Sequence, residues 1–104
     1  VADDRVNLTR AEDSVHMSAP ANLMGKLEIR GLGIVQVDCA SSVPLSLVCD
    51  LVPADQIYRL PVVATETILD QLIPSMKIDS QAQSAVAKIR YALKVARGEI
   101  GLIT

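Results

Sequence analysis

Leu27-Glu28-Ile29-Arg30-Gly31-Leu32-Gly33-Ile34-Val35-Gln36 is the stretch that decides how this chain is read. An acid and a base stand two residues apart, two glycines flank one leucine, and an aliphatic run follows. In extended backbone, residues i and i+2 share a face. Glu28 and Arg30 are therefore expected to project together, with Ile29 turned the other way into a core. Gly31 and Gly33 permit backbone conformations closed to other residues, so the chain can bend there or approach a ligand closely. Residue chemistry alone leaves two readings open. One is a metal–phosphate site, with Glu28 for a hard cation and Arg30 for phosphate oxygens. The other is a strand with a surface ion pair and a bend.

Outward from that stretch, composition narrows the class. The 104 residues are one domain or part of one, half of them hydrophobic, with no Phe or Trp and two Tyr. Any core must be aliphatic. A net charge of −2 argues against a nucleic-acid binder. Pro44, Asp50 and Pro53 interrupt the apolar stretches, so nothing reads as a membrane span. Cys39 and Cys49 fit no zinc spacing, and His16 is the one histidine. Two aliphatic-flanked thiols suit the reduced, cytoplasmic setting.

In chain order, residues 1–8 read as a strand interrupted by Asp3-Asp4, a pair that either holds a cation or opens a turn. Ala11–Ser14 is a hairpin turn into Val15–Ser18, with His16 on the polar face as a surface residue. Pro20 starts a short helix over 21–26 that Gly25 ends. Strands follow at Ile34–Cys39 and Leu45–Val52, the latter largely buried, with a turn at Ser41–Pro44. Leu60–Val63 reads as an edge strand, because Pro61 cannot donate to a central ladder. Thr65 or Thr67 caps a brief helix to about Leu72, closed by Pro74. Ala82, Ala85, Val86, Ile89, Leu93 and Ala96 recur at helical spacing, predicting an amphipathic helix over Ser80–Arg97. Ser80 and Gln83 form its capping box and Gly98 its stop. Lys88, Arg90, Lys94 and Arg97 load its C-terminal half, as dipole compensation or as a phosphate or acidic-partner contact. The fold class is mixed α/β: about five short strands with the C-terminal helix packed on the sheet.

The letters LEIRGLGIVQ resemble the signature segment of the HPr kinase/phosphorylase family. Val1-Ala2-Asp3-Asp4 looks like that family's V/I-A-D-D strand end, Ala19-Pro20 falls where it carries Ala-Pro, and Tyr58-Arg59-Leu60-Pro61 resembles its Asp-Arg-Leu element. The resemblance is strongest over residues 1–37, extends to about 63, and is closest to the short proteobacterial branch. It implies residues 1–104 are the back portion of a P-loop-type kinase domain. The family's nucleotide loop, GxxxxGK[ST], does not occur in these 104 residues. The missing P-loop half of the domain is therefore an expected partner. Only Cys39 to Pro44 stands where longer members carry a flexible partner-contacting loop.

By that resemblance the parent enzyme is a homo-oligomer that uses ATP and magnesium to phosphorylate a serine of the phosphocarrier HPr, and reverses this by phosphorolysis. Asp4 takes the role of the base, with Asp3 beside it as a metal-side or water-side acid. Glu28 matches the magnesium ligand and Arg59 the catalytic arginine. Arg30, Gly31 and Gly33 fall to the phosphate-binding surface. Such a site needs positioning and charge neutralisation rather than covalent chemistry. The expectation is that Asp4, Glu28 and Arg59 converge, and that the isolated chain is inactive. The alternative is a non-catalytic binding or oligomerisation module derived from that domain.

Overall fold

A computed structural model describes residues 1–103. The chain divides into two compact units, Val1–Leu45 and the residues from Ser46 onward. In the first unit, strands β1 (Asn7–Ala11), β2 (Ser14–Ser18) and β5 (Val43–Pro44) form an antiparallel sheet in the order β1-β2-β5. Strands β3 (Lys26–Ile29) and β4 (Gly33–Gln36) form a separate two-stranded hairpin. In the second unit, β6 (Val48–Leu51) runs parallel to β8 (Gln71–Ile78), which pairs antiparallel with β7 (Ala64–Ile68) on its other side. Helix α1 spans Ala85–Ala96. The mixed α/β class holds, with eight short strands among the described residues where about five were expected.

The hairpin at Ala11–Ser14 forms as read, Ala11 pairing with Ser14 and Leu8 with Met17. Val15, 1% exposed, anchors this unit's core together with Ala19. The expected strand over residues 1–8 begins only at Asn7. Ahead of it, Asp4 takes φ 64 and the Arg5 N–H donates to the Asp3 carbonyl at 2.7 Å, a reversal that ends extended backbone. The expected helix over 21–26 is instead a pair of tight turns, Leu23 N–H to Pro20 carbonyl and Lys26 N–H to Leu23 carbonyl. Six residues with a left-handed Gly25 next to last cannot offset the cost of starting a helix.

Strand Ile34–Cys39 is shorter than expected, ending at Gln36; Leu45–Val52 contracts to β6, half-buried to exposed rather than buried, and the expected Ser41–Pro44 turn instead contains β5. Leu60–Val63 forms no strand, and Leu60 and Val62 stand 86% and 90% exposed. The largest correction falls at Thr65–Leu72, which is not a helix but the β7–β8 hairpin. Thr65, Thr67 and Ile68 are β-branched and favour a pleated surface. Leu69 and Asp70, at φ 49 and 64, close it as a two-residue turn with both residues left-handed. Pro74 sits inside the central strand, and the parallel ladder to β6 starts one residue later at Ser75. Ile73 and Ile78 from this strand supply the buried core of the second unit.

Helix α1 starts later than its periodicity predicted. Asp79 accepts from the Gln81 N–H through its side chain at 3.0 Å and from the Ala82 N–H through its carbonyl, a turn that displaces the Ser80 capping box. Ser84 is the N-cap and makes no side-chain cap bond. The far end is as read: Gly98 at φ 74 donates to the Val95 carbonyl while Glu99 N–H reaches Lys94. Ala85, Ile89, Leu93 and Ala96 form a half-buried stripe, but no helix residue is fully buried. Among the described residues no helix is long and apolar enough to cross a membrane.

Candidate active site

The signature stretch folds as a hairpin whose turn is set by its glycines. The Leu32 N–H donates to the Ile29 carbonyl at 2.9 Å, and Gly31 at the third turn position takes φ 85. That is a type II turn, which demands positive φ at this position. Gly33, at φ 129, returns the chain to the ladder opposite Ile29. Arg30 lies in the turn itself, so it does not share a strand face with Glu28 as extended backbone would require. Among the described residues the structure gives the two no ion pair. Ile29 is 40% exposed, not core: among the described residues the hairpin pairs with no third strand, and Leu32 and Ile34 are 71% and 72% exposed.

Glu28 is nevertheless tied to the acidic pair. Its backbone N–H donates to Asp3 Oδ2 at 2.9 Å across 25 positions. Asp3 is half-buried, and Asp4 next to it is exposed at the centre of the left-handed reversal. A non-glycine residue held there by an i to i+2 bond is strained, a feature that concentrates at functional sites. Three carboxylates, Asp3, Asp4 and Glu28, thus stem from two segments fastened together. Asp4 was expected at a strand's carboxyl end; it lies instead in the turn before β1. Arg59 belongs to the second unit, exposed between the short 3-10 turn at Ala54–Gln56 and β7.

These carboxylates line neither of two open concavities among the described residues. The larger concavity, about 760 Å³, is bounded by Val86, Arg90, Tyr91, Lys94 and Arg97 on the exposed side of α1. There the Lys94 ammonium lies 5.5 Å from the centroid of the Tyr91 ring. A smaller one borders the open end of the β3–β4 hairpin at Met24, Lys26 and Gln36. Among the described residues no group of three His, Cys, Asp or Glu side chains is arranged to hold a metal ion. Asp3 and Glu28 still offer hard oxygen donors of the kind magnesium takes in ones and twos, with phosphate and water completing its shell.

One cluster escaped the reading of the sequence. His16, expected as a surface residue, is half-buried with both ring nitrogens engaged by hydroxyls: Nε2 with Ser14 Oγ at 3.1 Å and Nδ1 with Ser42 Oγ at 3.3 Å. Ser14 and His16 share a face by strand alternation, a signal legible in the sequence. Ser42 arrives only through the pairing of β5 with β2, which sets Pro44 opposite His16. Both cysteines are free thiols; burial, and secondly the charge of Asp50, push the Cys49 thiol up from 9.0.

Comparison with solved structures places this fold. The chain is similar to the HPr(Ser) kinase/phosphatase from Coxiella burnetii, with a TM-score of 0.76 and 21% identity, over 95% of this chain and 68% of that one. No protein-family model matches the chain. No curated protein sequence matches it either. The shared fold is that of an HPr kinase domain.

Proposed function

We propose that this chain is part of the catalytic domain of an HPr serine kinase/phosphorylase, transferring a phosphoryl group from ATP to a serine hydroxyl of HPr. The observation that carries the reading is the bond from the Glu28 N–H to Asp3 Oδ2, which joins the V-A-D-D segment to the glycine signature within a fold shared with such an enzyme. A phosphoryl-transfer site needs carboxylates for the nucleophile and the cation, and a guanidinium for the transferred charge. Asp3, Asp4, Glu28 and Arg59 supply that set.

In this reading Asp4, exposed on its reversal, accepts the proton of the serine hydroxyl as the serine oxygen bonds to the γ-phosphorus and ADP leaves. In reverse, inorganic phosphate attacks the phosphoserine phosphorus, the serine oxygen departs, and Asp4 returns the proton; the products are serine and pyrophosphate. Asp3 spends one oxygen on the Glu28 N–H and so fixes where Glu28 leaves the strand. Glu28, with Asp3 beside it, would hold magnesium, which when bound neutralises phosphate charge. Arg59 stabilises the charge on the transferred group, and Arg30 with the open backbone at Gly31 and Gly33 flanks the phosphates. The phosphate-binding loop comes from the remainder of the domain, and apolar side chains left exposed, such as Ile34 and Leu60, suit burial against that remainder or another copy. The test is phosphorylation of HPr by the chain joined to a P-loop segment. Magnesium-dependent labelling of HPr serine, lost in Asp4→Asn, is expected; labelling unaffected by Asp4→Asn overturns the assignment.

A further inference from the structure

Outside the acidic site, the His16 cluster has an internal direction that hydrogen-bond counting fixes. Ser14 Oγ donates its single hydrogen to the Ala11 carbonyl at 3.1 Å. Toward His16 Nε2, 3.1 Å away, that oxygen can then only accept, so Nε2 carries the ring hydrogen. In the neutral imidazole, Nδ1 then keeps its lone pair, and the hydroxyl 3.3 Å from it, Ser42 Oγ, is the donor. The chain of bonds runs from Ser42 through His16 and Ser14 to a backbone carbonyl of the β1–β2 hairpin. A hydroxyl donating to an imidazole whose far nitrogen is itself oriented is the arrangement that activates a serine nucleophile. Ser42 is exposed, so a small molecule can reach its oxygen, while His16 is half-buried and held between β1 and β5.

We propose that Ser42 is a nucleophile toward activated acyl groups, with His16 as its general base and Ser14 as the residue that positions the imidazole. The step balances: Ser42 Oγ bonds to the acyl carbon, its proton moves to His16 Nδ1, and the leaving group departs as its anion. With p-nitrophenyl acetate the products are acetyl-Ser42 and p-nitrophenolate, the proton passing from His16 to water. The reaction is a single acylation and owes nothing to the phosphate chemistry of Asp4, Glu28 and Arg59.

Ser41 provides the control within the same molecule, since it is also exposed, adjacent in sequence, and has no hydrogen bond to the imidazole. General-base assistance is worth about 10²- to 10⁴-fold where geometry is ideal, so at the observed distance Ser42 should acetylate at least about tenfold faster than Ser41. The experiment treats the protein with p-nitrophenyl acetate and follows acetylation of each residue by peptide mass spectrometry over time. His16→Gln should bring Ser42 down to the Ser41 rate. Ser14→Ala should slow Ser42 several-fold with Ser41 unchanged, and Ser14→Thr, which keeps the hydroxyl, should restore it. A disturbance of the loop as a whole would move both serines together. Equal rates at Ser41 and Ser42 in the unaltered protein overturn the proposal without any variant. So does acetate found on His16 with Ser42 unmodified, or a Ser42 rate indifferent to His16→Gln.

Discussion

Replacing Gly31 by Ala isolates what the signature's glycine contributes. A Cβ at this position would meet no atom within 4 Å, so sterics with the surroundings add nothing and the whole effect is backbone. The φ of 85 is set by the turn that the Leu32 N–H closes onto Ile29. An L-residue held in left-handed backbone costs about 1–2 kcal/mol. The loss of unfolded-state freedom on going from Gly to Ala returns about 0.4–1 kcal/mol. Gly101 is the reference: open space around it and no positive φ, so Gly101→Ala carries only the second term. Net of that return, Gly31→Ala costs the hairpin up to about 1.6 kcal/mol, a factor of up to about 15 in a local opening equilibrium, whereas Gly101 lies outside the hairpin and leaves that equilibrium alone. The hairpin pairs with neither sheet, and two strands alone are marginal, so it should open without the rest of the unit. Native-state amide exchange at Leu32 reads that opening directly. Exchange should accelerate by that factor in Gly31→Ala and stay unchanged in Gly101→Ala. Equal protection in both variants would refute the claim that the turn, rather than a ligand contact, requires this glycine.

Three further outcomes follow from the second unit. Ile78→Ala, at a side chain 2% exposed, should destabilise by about 2–5 kcal/mol in urea unfolding, whereas its β6 neighbour Leu51, 69% exposed, should tolerate alanine within about 0.5 kcal/mol. Leu69→Gly relieves a left-handed leucine in the β7–β8 turn and should raise the unfolding midpoint, a gain in stability of about 1 kcal/mol; a lowered midpoint would show that the leucine side chain matters more than its backbone. Burial, reinforced by Asp50, pushes the Cys49 thiol up, so less thiolate is present at any given pH below it. Iodoacetamide should modify exposed Cys39 well before Cys49 at pH 8, and Asp50→Asn should accelerate Cys49.

The elements legible in the sequence were those whose signals are local. The β1–β2 hairpin, the glycine bend of the signature, the helical period and the Gly98 stop all depend on residues a few positions apart. The β7–β8 hairpin was hidden because Leu69-Asp70 lacks the Asn or Gly that marks such turns, and because Pro74 argues against a central strand. Pro74 is tolerated where it is because the ladder to β6 begins beyond it. The helix start was misplaced by Asp79, whose own turn competes with a cap at Ser80. At the candidate site, family-like letters singled out Asp3 and Glu28 separately, and the fold adds the bond between them. The His16–Ser42 contact spans 26 positions and depends on β5 finding the edge of β2, which no local pattern announces.

The central proposal is that Asp4 is the group that exchanges a proton with the HPr serine in both directions. Its most direct measurement takes the chain joined to a P-loop segment and follows three quantities side by side in the parent and in Asp4→Asn. They are ATP-dependent phosphorylation of HPr, pyrophosphate release from phosphoserine-HPr and inorganic phosphate, and nucleotide binding. One group serving both directions requires that both activities fall together, by at least about 10²-fold, while nucleotide binding persists. Loss of one direction with the other intact, or retention of both, would contradict the claim.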